Sequence, residues 1–169
     1  MKHGGARKGA GRPSPYGEKT KPIRLPINLI SAVQKFVENK GYKIPLYSSK
    51  VPAGLPSHTE DYSVDSLDLN EYLIKHPAAT FMVRAQGQSM INAGIHENDI
   101  LIVDRSIAPA SGKIVIAVID GQLTVKRLHK NKQGKFILLP ENPQFEPIEV
   151  SEESHALIWG IVTNVIHAV

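Results

Sequence analysis

At 169 residues and 41% hydrophobic side chains the chain has room for one compact domain plus an appendage, and with no apolar run near the ~18–20 residues that span a bilayer it is expected to be soluble. The absence of cysteine excludes disulfides, cysteine nucleophiles and thiolate metal sites and fits a reducing cytoplasm, and no apolar segment follows the basic N-terminus as in a secretory signal. Residues 1–50 hold eleven Lys/Arg against Glu18 and Glu38, a net of +9, whereas the remaining 119 residues hold nine basic and fourteen acidic side chains, a net of −5.

A basic arm on a mildly acidic body points to contact between residues 1–50 and a polyanion, nucleic acid above all, the alternative being a solvated tail with no partner. Residues 1–19 are dense in Gly, Lys, Arg and Pro and nearly devoid of apolar side chains, so they are expected to be disordered when alone. Ile23-Arg24-Leu25 alternates like a scrap of strand and is followed by Pro26. Leu29, Ile30, Val33, Phe36 and Val37 then mark one face of an amphipathic helix over Asn28–Lys40, with Asn28 as N-cap and Gly41 as stop. A strand followed by such a helix is half of a ribbon-helix-helix DNA-binding unit, and no second helix is legible before Pro45. A helix that packs on the body or on a second protomer is an equal alternative.

Residues 43–66 form a Pro/Ser-rich connector, an extended arm carrying Val51-Pro52-Ala53-Gly54-Leu55-Pro56. Proline keeps the residue before it out of the helical region, so this stretch offers the extended shape that proteases bind. The organisation expected is a basic extension over 1–50, an arm over 51–66 and a β-rich domain over 67–169.

Leu69, Tyr72, Leu73 and Ile74 fit a short helix ending at His76-Pro77. Strands are predicted at 80–86, 99–104, 113–119, 124–128, 136–139 and 157–165, with Asp120-Gly121 as a hairpin turn. About six or seven strands without intervening helices indicate a mainly β fold, a coiled antiparallel sheet or partly open barrel. No internal repeat is present.

Two segments carry chemistry. Gln86-Gly87-Gln88-Ser89-Met90 ends a strand, where glycine permits a tight turn that projects Ser89 Oγ and brings backbone N–H groups toward a substrate carbonyl. Leu123-Thr124-Val125-Lys126-Arg127-Leu128 is a strand; if Val125 faces out, Lys126 points to the apolar side with Thr124 and Leu128. A serine needs a base to become a nucleophile. Lysine at its ordinary pKa of ~10.4 is protonated, but burial favours the neutral amine and can make it that base without histidine or aspartate. Composition and spacing alone do not single this pair out from the other serines and lysines.

Residues 53–128 resemble UmuD, the mutagenesis-associated relative of the LexA repressor, in the self-cleaving S24 peptidase family. The stretches that carry the resemblance are AGLPS (53–57), LDLNEYLIKHPAATFMVRAQGQSMI (67–91), GIHENDILIVDRSI (94–107), GKIVIAVIDGQLTVKRL (112–128) and LLPENPQFEPI (138–148). The resemblance implies that Ser89 is the nucleophile and that Lys126, 37 positions later, is the general base. It implies self-cleavage at Ala53-Gly54, with Gly54 standing 35 residues before the serine. Backbone N–H groups of Ser89 and Met90 are the expected oxyanion donors. It further implies a homodimer, a RecA–single-stranded-DNA filament as trigger, and an UmuC-like translesion polymerase as partner of the cleaved form in the SOS response. The extension over 1–50 is longer than the UmuD arm and is not LexA's winged helix-turn-helix. A LexA-like repressor whose basic N-terminus binds DNA until cleavage is the alternative.

No cofactor is expected. The seven histidines (His3, His58, His76, His96, His129, His155, His167) show no HExxH or i, i+4 pair, so no metal site is expected. Asp99 and Asp104 read as strand-end polar residues, His96 and Asp99 as parts of a turn, and Trp159 as core or interface.

Overall fold

The computed structural model describes residues 20–39, 41–48, 51, 53–54, 63–150 and 156–169, and the chain divides into two units, residues 1–41 and 42–169. The expected disorder of residues 1–19 lies outside the described residues.

In the first unit a 3-10 turn at Ile27–Leu29 runs into helix α1, Ile30–Glu38. Asn28 is not its cap. The Pro26 carbonyl accepts from Leu29 N at 2.9 Å, so the turn starts earlier and Asn28 already lies inside it. At the other end the Gly41 N–H reaches back to Phe36 O at 2.8 Å with φ +82°, a conformation glycine adopts without the Cβ penalty, and the helix stops there as expected. Residues 23–25, read from sequence as a scrap of strand, are not paired into a strand within the chain. α1 buries no residue, and Leu29, Ile30, Phe36 and Val37 remain exposed.

The second unit opens with β1, Lys43–Tyr47, paired antiparallel to β2, Val64–Asp68, in a two-stranded sheet. The described ends of the connector are extended, as predicted for the arm, but they are paired with each other rather than free. Pro45 is tolerated opposite Ser66 because both strands are edges and the missing N–H interrupts no inner ladder. Ser48 Oγ donates to Ser63 O at 3.0 Å and closes the stem. Asp68 caps helix α2, Leu69–Leu73, by accepting from Asn70 N at 2.8 Å.

The remaining strands are β3 Thr80–Arg84, β4 Ile100–Asp104, β5 Ile114–Ile119, β6 Gln122–Lys130, β7 Phe136–Leu139, β8 Ile148–Glu149 and β9 Leu157–Ile166. They form one antiparallel sheet in the order β3-β4-β9-β5-β6-β7-β8. The fold is mainly β and the sheet does not close into a barrel. Ile119 pairs with Gln122 across Asp120-Gly121, whose φ values of 48° and 80° are the left-handed pair that a two-residue hairpin demands.

β9 is the hinge of the sheet, shared by β4 and β5. Its pairing slips at Thr163 against β4 and at Trp159 against β5, two bulges that coil the strand. Between them Gly160 lets β9 approach β4. A Cβ there would lie 2.6 Å from Val103 Cγ1 and 3.2 Å from Asp104 O.

β5 is apolar throughout because it is covered on both faces. Ile116 joins Ala85, Met90, Ile95, Leu101 and Val103 on one side. Val115 and Ala117 join Leu128, Leu138 and Ile161 on the other. Trp159 packs on the first cluster, with its ring 4.4 Å from that of Phe81 and the Arg105 guanidinium 4.5 Å above it, so the core reading of this residue holds.

Candidate active site

Ser89 follows β3 on a turn that the sequence sets up through Gly87, whose φ of +82° would strain any side-chain-bearing residue. The turn is fixed at both ends. Ala85 N donates to Asp99 O at 2.8 Å, and the buried side chain of Met90 anchors the chain just past the serine. The 138–148 segment clamps it from outside: Glu141 N donates to Ser89 O at 2.8 Å, and buried Asn142 donates from Nδ2 to Gln88 O at 2.9 Å. Among the described residues, neither the Ser89 nor the Met90 backbone N–H has an intramolecular acceptor.

Lys126 comes from the middle of β6. Strand alternation sends it inward with Thr124 and Leu128, and it is only 7% exposed. Its Nζ lies 2.8 Å from Ser89 Oγ, 3.0 Å from Thr124 Oγ1 and 2.9 Å from the Val125 carbonyl. No carboxylate pairs with this amine among the described residues. Burial therefore acts unopposed and lowers its pKa below the usual value. When the amine is neutral, the 2.8 Å contact reverses and the serine hydroxyl donates to the nitrogen lone pair.

Beside the pair lies a cleft of about 230 Å³, lined by Ala85, Gln86, Ser89, Leu101, Thr124 and Val125 among others. Apolar walls and a polar end suit a short side chain next to a carbonyl. The next residue of β6, Arg127, turns the other way. It forms a short ion pair with Glu141 and donates from Nη1 to Gly112 O at 2.7 Å. One strand thus supplies both the amine and the anchor of the segment that clamps the serine turn.

Ala53 and Gly54 form an exposed bend between β1 and β2, and a Cβ added at Gly54 would meet nothing within 4 Å. The flanking Pro52, Leu55 and Pro56 lie outside the described residues.

Sequence reasoning missed the Asn142, Glu141 and Arg127 network, because residues 54 and 14 positions apart meet only once the sheet is folded. It also understated two aspartates. Asp104 is buried against His76 Nδ1 at 2.7 Å and Ser106 Oγ at 2.6 Å. Asp99 is buried against the His96 N–H at 2.8 Å and His167 Nδ1 at 2.6 Å. A larger hollow of about 370 Å³ near His76 and Asp104 contains no triad: Ser106 bonds the aspartate rather than the histidine.

No helix among the described residues is long and apolar enough to cross a membrane.

A Peptidase S24-like family profile matches residues 45–163. The chain is 46% identical over 132 residues to Protein ImpA of Salmonella typhimurium, covering 75% of this chain and 85% of that one. It is 38% identical over 124 residues to Protein MucA of Escherichia coli, covering 73% and 84%. It is 33% identical over 162 residues to the LexA repressor of Ectopseudomonas mendocina, covering 95% and 74%. With the coiled sheet and these relatives together, the chain belongs to the S24 peptidase family of self-cleaving serine proteases, among the UmuD-like SOS mutagenesis proteins and LexA.

Proposed function

We propose that the chain cleaves its own Ala53-Gly54 bond, with Ser89 as nucleophile and Lys126 as general base. The observation that carries this reading is the 2.8 Å contact between Ser89 Oγ and a lysine amine buried without a carboxylate. The arm swings from its exposed position into the cleft of its own or a neighbouring protomer, Ala53 entering the short apolar subsite. Neutral Lys126 takes the Ser89 proton, and Oγ attacks the Ala53 carbonyl to give a tetrahedral oxyanion held by the Ser89 and Met90 N–H groups. The Ala53–Gly54 C–N bond breaks as Lys126 returns the proton to the departing Gly54 amine. Water, deprotonated by the same lysine, then hydrolyses the acyl-serine.

Thr124 Oγ1 and the Val125 carbonyl hold Nζ on the serine through both proton transfers. The cleaved form acts in the cytoplasm as a homodimer with an UmuC-like translesion polymerase, after a RecA–single-stranded-DNA filament has promoted cleavage. Kinship to ImpA and MucA supports that setting. The test is the rate of self-cleavage of the purified chain against pH. It should climb from neutral toward alkaline pH as Lys126 is deprotonated; a flat rate up to pH ~10 would rule out lysine as the base.

A second reading, a LexA-like repressor, is favoured by the LexA alignment, which spans 95% of the chain and so reaches into the +9 extension. Operator-specific protection by the intact chain that disappears after cleavage supports it. Binding that is non-specific and steeply salt-dependent counts against it.

A further inference from the structure

The three groups around Asp99 converge for reasons unrelated to the serine. β4 and β9 pair with Ile100 opposite Ile166, so the residue before one strand, Asp99, lies beside the residue after the other, His167. His96 is brought in by the tight turn at Asn98 (φ 71°) and by its own N–H, which donates to Asp99 Oδ2 at 2.8 Å. His167 Nδ1 stands 2.6 Å from Asp99 Oδ1, His96 Nδ1 stands 3.8 Å from Oδ2, and the two imidazole centroids are 5.0 Å apart. One donor atom from each of the three residues falls within a 4.8 Å span.

We propose that His96, Asp99 and His167 form a binding site for one Zn²⁺ ion, with water completing its coordination. Two imidazoles and one carboxylate are a zinc-type donor set, whereas Mg²⁺ and Ca²⁺ select oxygen ligands. Tetrahedral bonds of ~2.0–2.1 Å hold ligand atoms about 3.3 Å apart, so the ion widens the Asp99–His167 contact slightly and draws His96 inward. Both histidine side chains are about half exposed (52% and 46%), which leaves them free to adjust and leaves the ion open to solvent. Asp99 is the fixed member: it is 3% exposed, and the His96 backbone N–H orients its Oδ2 as an outer-shell donor would. Sequence spacing hides such a site because His167 lies 68 positions from Asp99.

The ion would clamp the end of β9 to the β3–β4 connection. That connection is bonded to the serine turn, since Asn98 N donates to Ala85 O at 2.9 Å and Ala85 N to Asp99 O at 2.8 Å. The clamp therefore bears on the cleft wall without entering the chemistry.

The test uses the full chain carrying Ser89→Ala, so that no fragment forms, titrated with Zn²⁺ by calorimetry and followed by thermal melting. One saturable equivalent is expected, together with a rise in Tm. His96→Ala and His167→Ala should each weaken binding about 10-fold or more and abolish the rise. His129→Ala, an exposed histidine elsewhere on β6, should change nothing. The His96→Ala backbone keeps its N–H bond to Asp99 and His167 lies past the last strand, so both variants are expected to fold, as cooperative melting without metal would verify. No saturable binding at about 100 µM Zn²⁺, or binding that survives both substitutions, would overturn the proposal.

Discussion

Replacing Lys126 by methionine separates what the lysine does for catalysis from what it does to stability. The side chain is 7% exposed, has no carboxylate partner among the described residues, and holds an amine whose pKa burial has lowered. Each unit by which a buried lysine is depressed corresponds to about 1.4 kcal/mol of penalty on its charged form. Against that stand three hydrogen bonds from Nζ, to Ser89 Oγ, Thr124 Oγ1 and Val125 O. Each is worth about 0.5–1.5 kcal/mol net, and the two hydroxyls border a cleft where water can replace the amine. Methionine matches the lysine stem in volume and carries no charge, so Lys126→Met should make the fold more stable at pH 7 while eliminating self-cleavage.

The gain should depend on pH in a defined sense. A lysine depressed in the folded state binds fewer protons there than in the unfolded chain between the folded value and 10.5, so wild-type stability rises with pH across that window. The advantage of methionine therefore shrinks as pH rises through it and is least near 10.5. Urea unfolding of both chains in a Ser89→Ala background, at neutral and alkaline pH, reads the difference directly. A methionine variant less stable by more than about 1 kcal/mol at pH 7, or a pH-independent difference, would show that the lysine is not held against its desolvation penalty.

Gly160→Ala should destabilise by about 1–3 kcal/mol with an unchanged m-value, because the new methyl meets Val103 Cγ1 at 2.6 Å and backbone at 3.2 Å; a neutral effect in urea unfolding would mean that β9 can slide off β4. Asn142→Ala strips the Nδ2 donor from Gln88 O and should slow self-cleavage while lowering stability by about 1–2 kcal/mol, measured as cleavage rate and urea midpoint. Asp104 is held below 3.8, first by the Ser106 hydroxyl and then by His76. The stability it contributes is present above that value and lost as pH falls through its lower folded one. Asp104→Asn should therefore flatten the stability profile in that acid range, and an unchanged profile would refute the assignment.

The strands were legible wherever their own residues carried the signal. Phe136–Leu139 appears with the predicted bounds, and Asp120-Gly121 makes the predicted turn because its two residues are those that tolerate positive φ. β8 escaped because two residues carry no periodicity. The Asn28 cap failed because a Pro26 carbonyl, invisible to a capping pattern, started the turn first.

The meeting of Ser89 and Lys126 could be expected only from the resemblance. Alternation along β6 showed which way Lys126 points, but not which turn lies opposite. The Asn142 clamp, the Arg127–Glu141 pair and the three groups around Asp99 depend on sheet order, which no local pattern encodes. They are the parts of the site that folding alone reveals.

The most direct test is to incubate the purified chain at pH ~10, or with a RecA–single-stranded-DNA filament, and to sequence the N-termini of the fragments. The proposed mechanism requires a new N-terminus at Gly54 in the wild type and an intact chain in both Ser89→Ala and Lys126→Ala. A cut at another bond, or cleavage that persists in either variant, would contradict it.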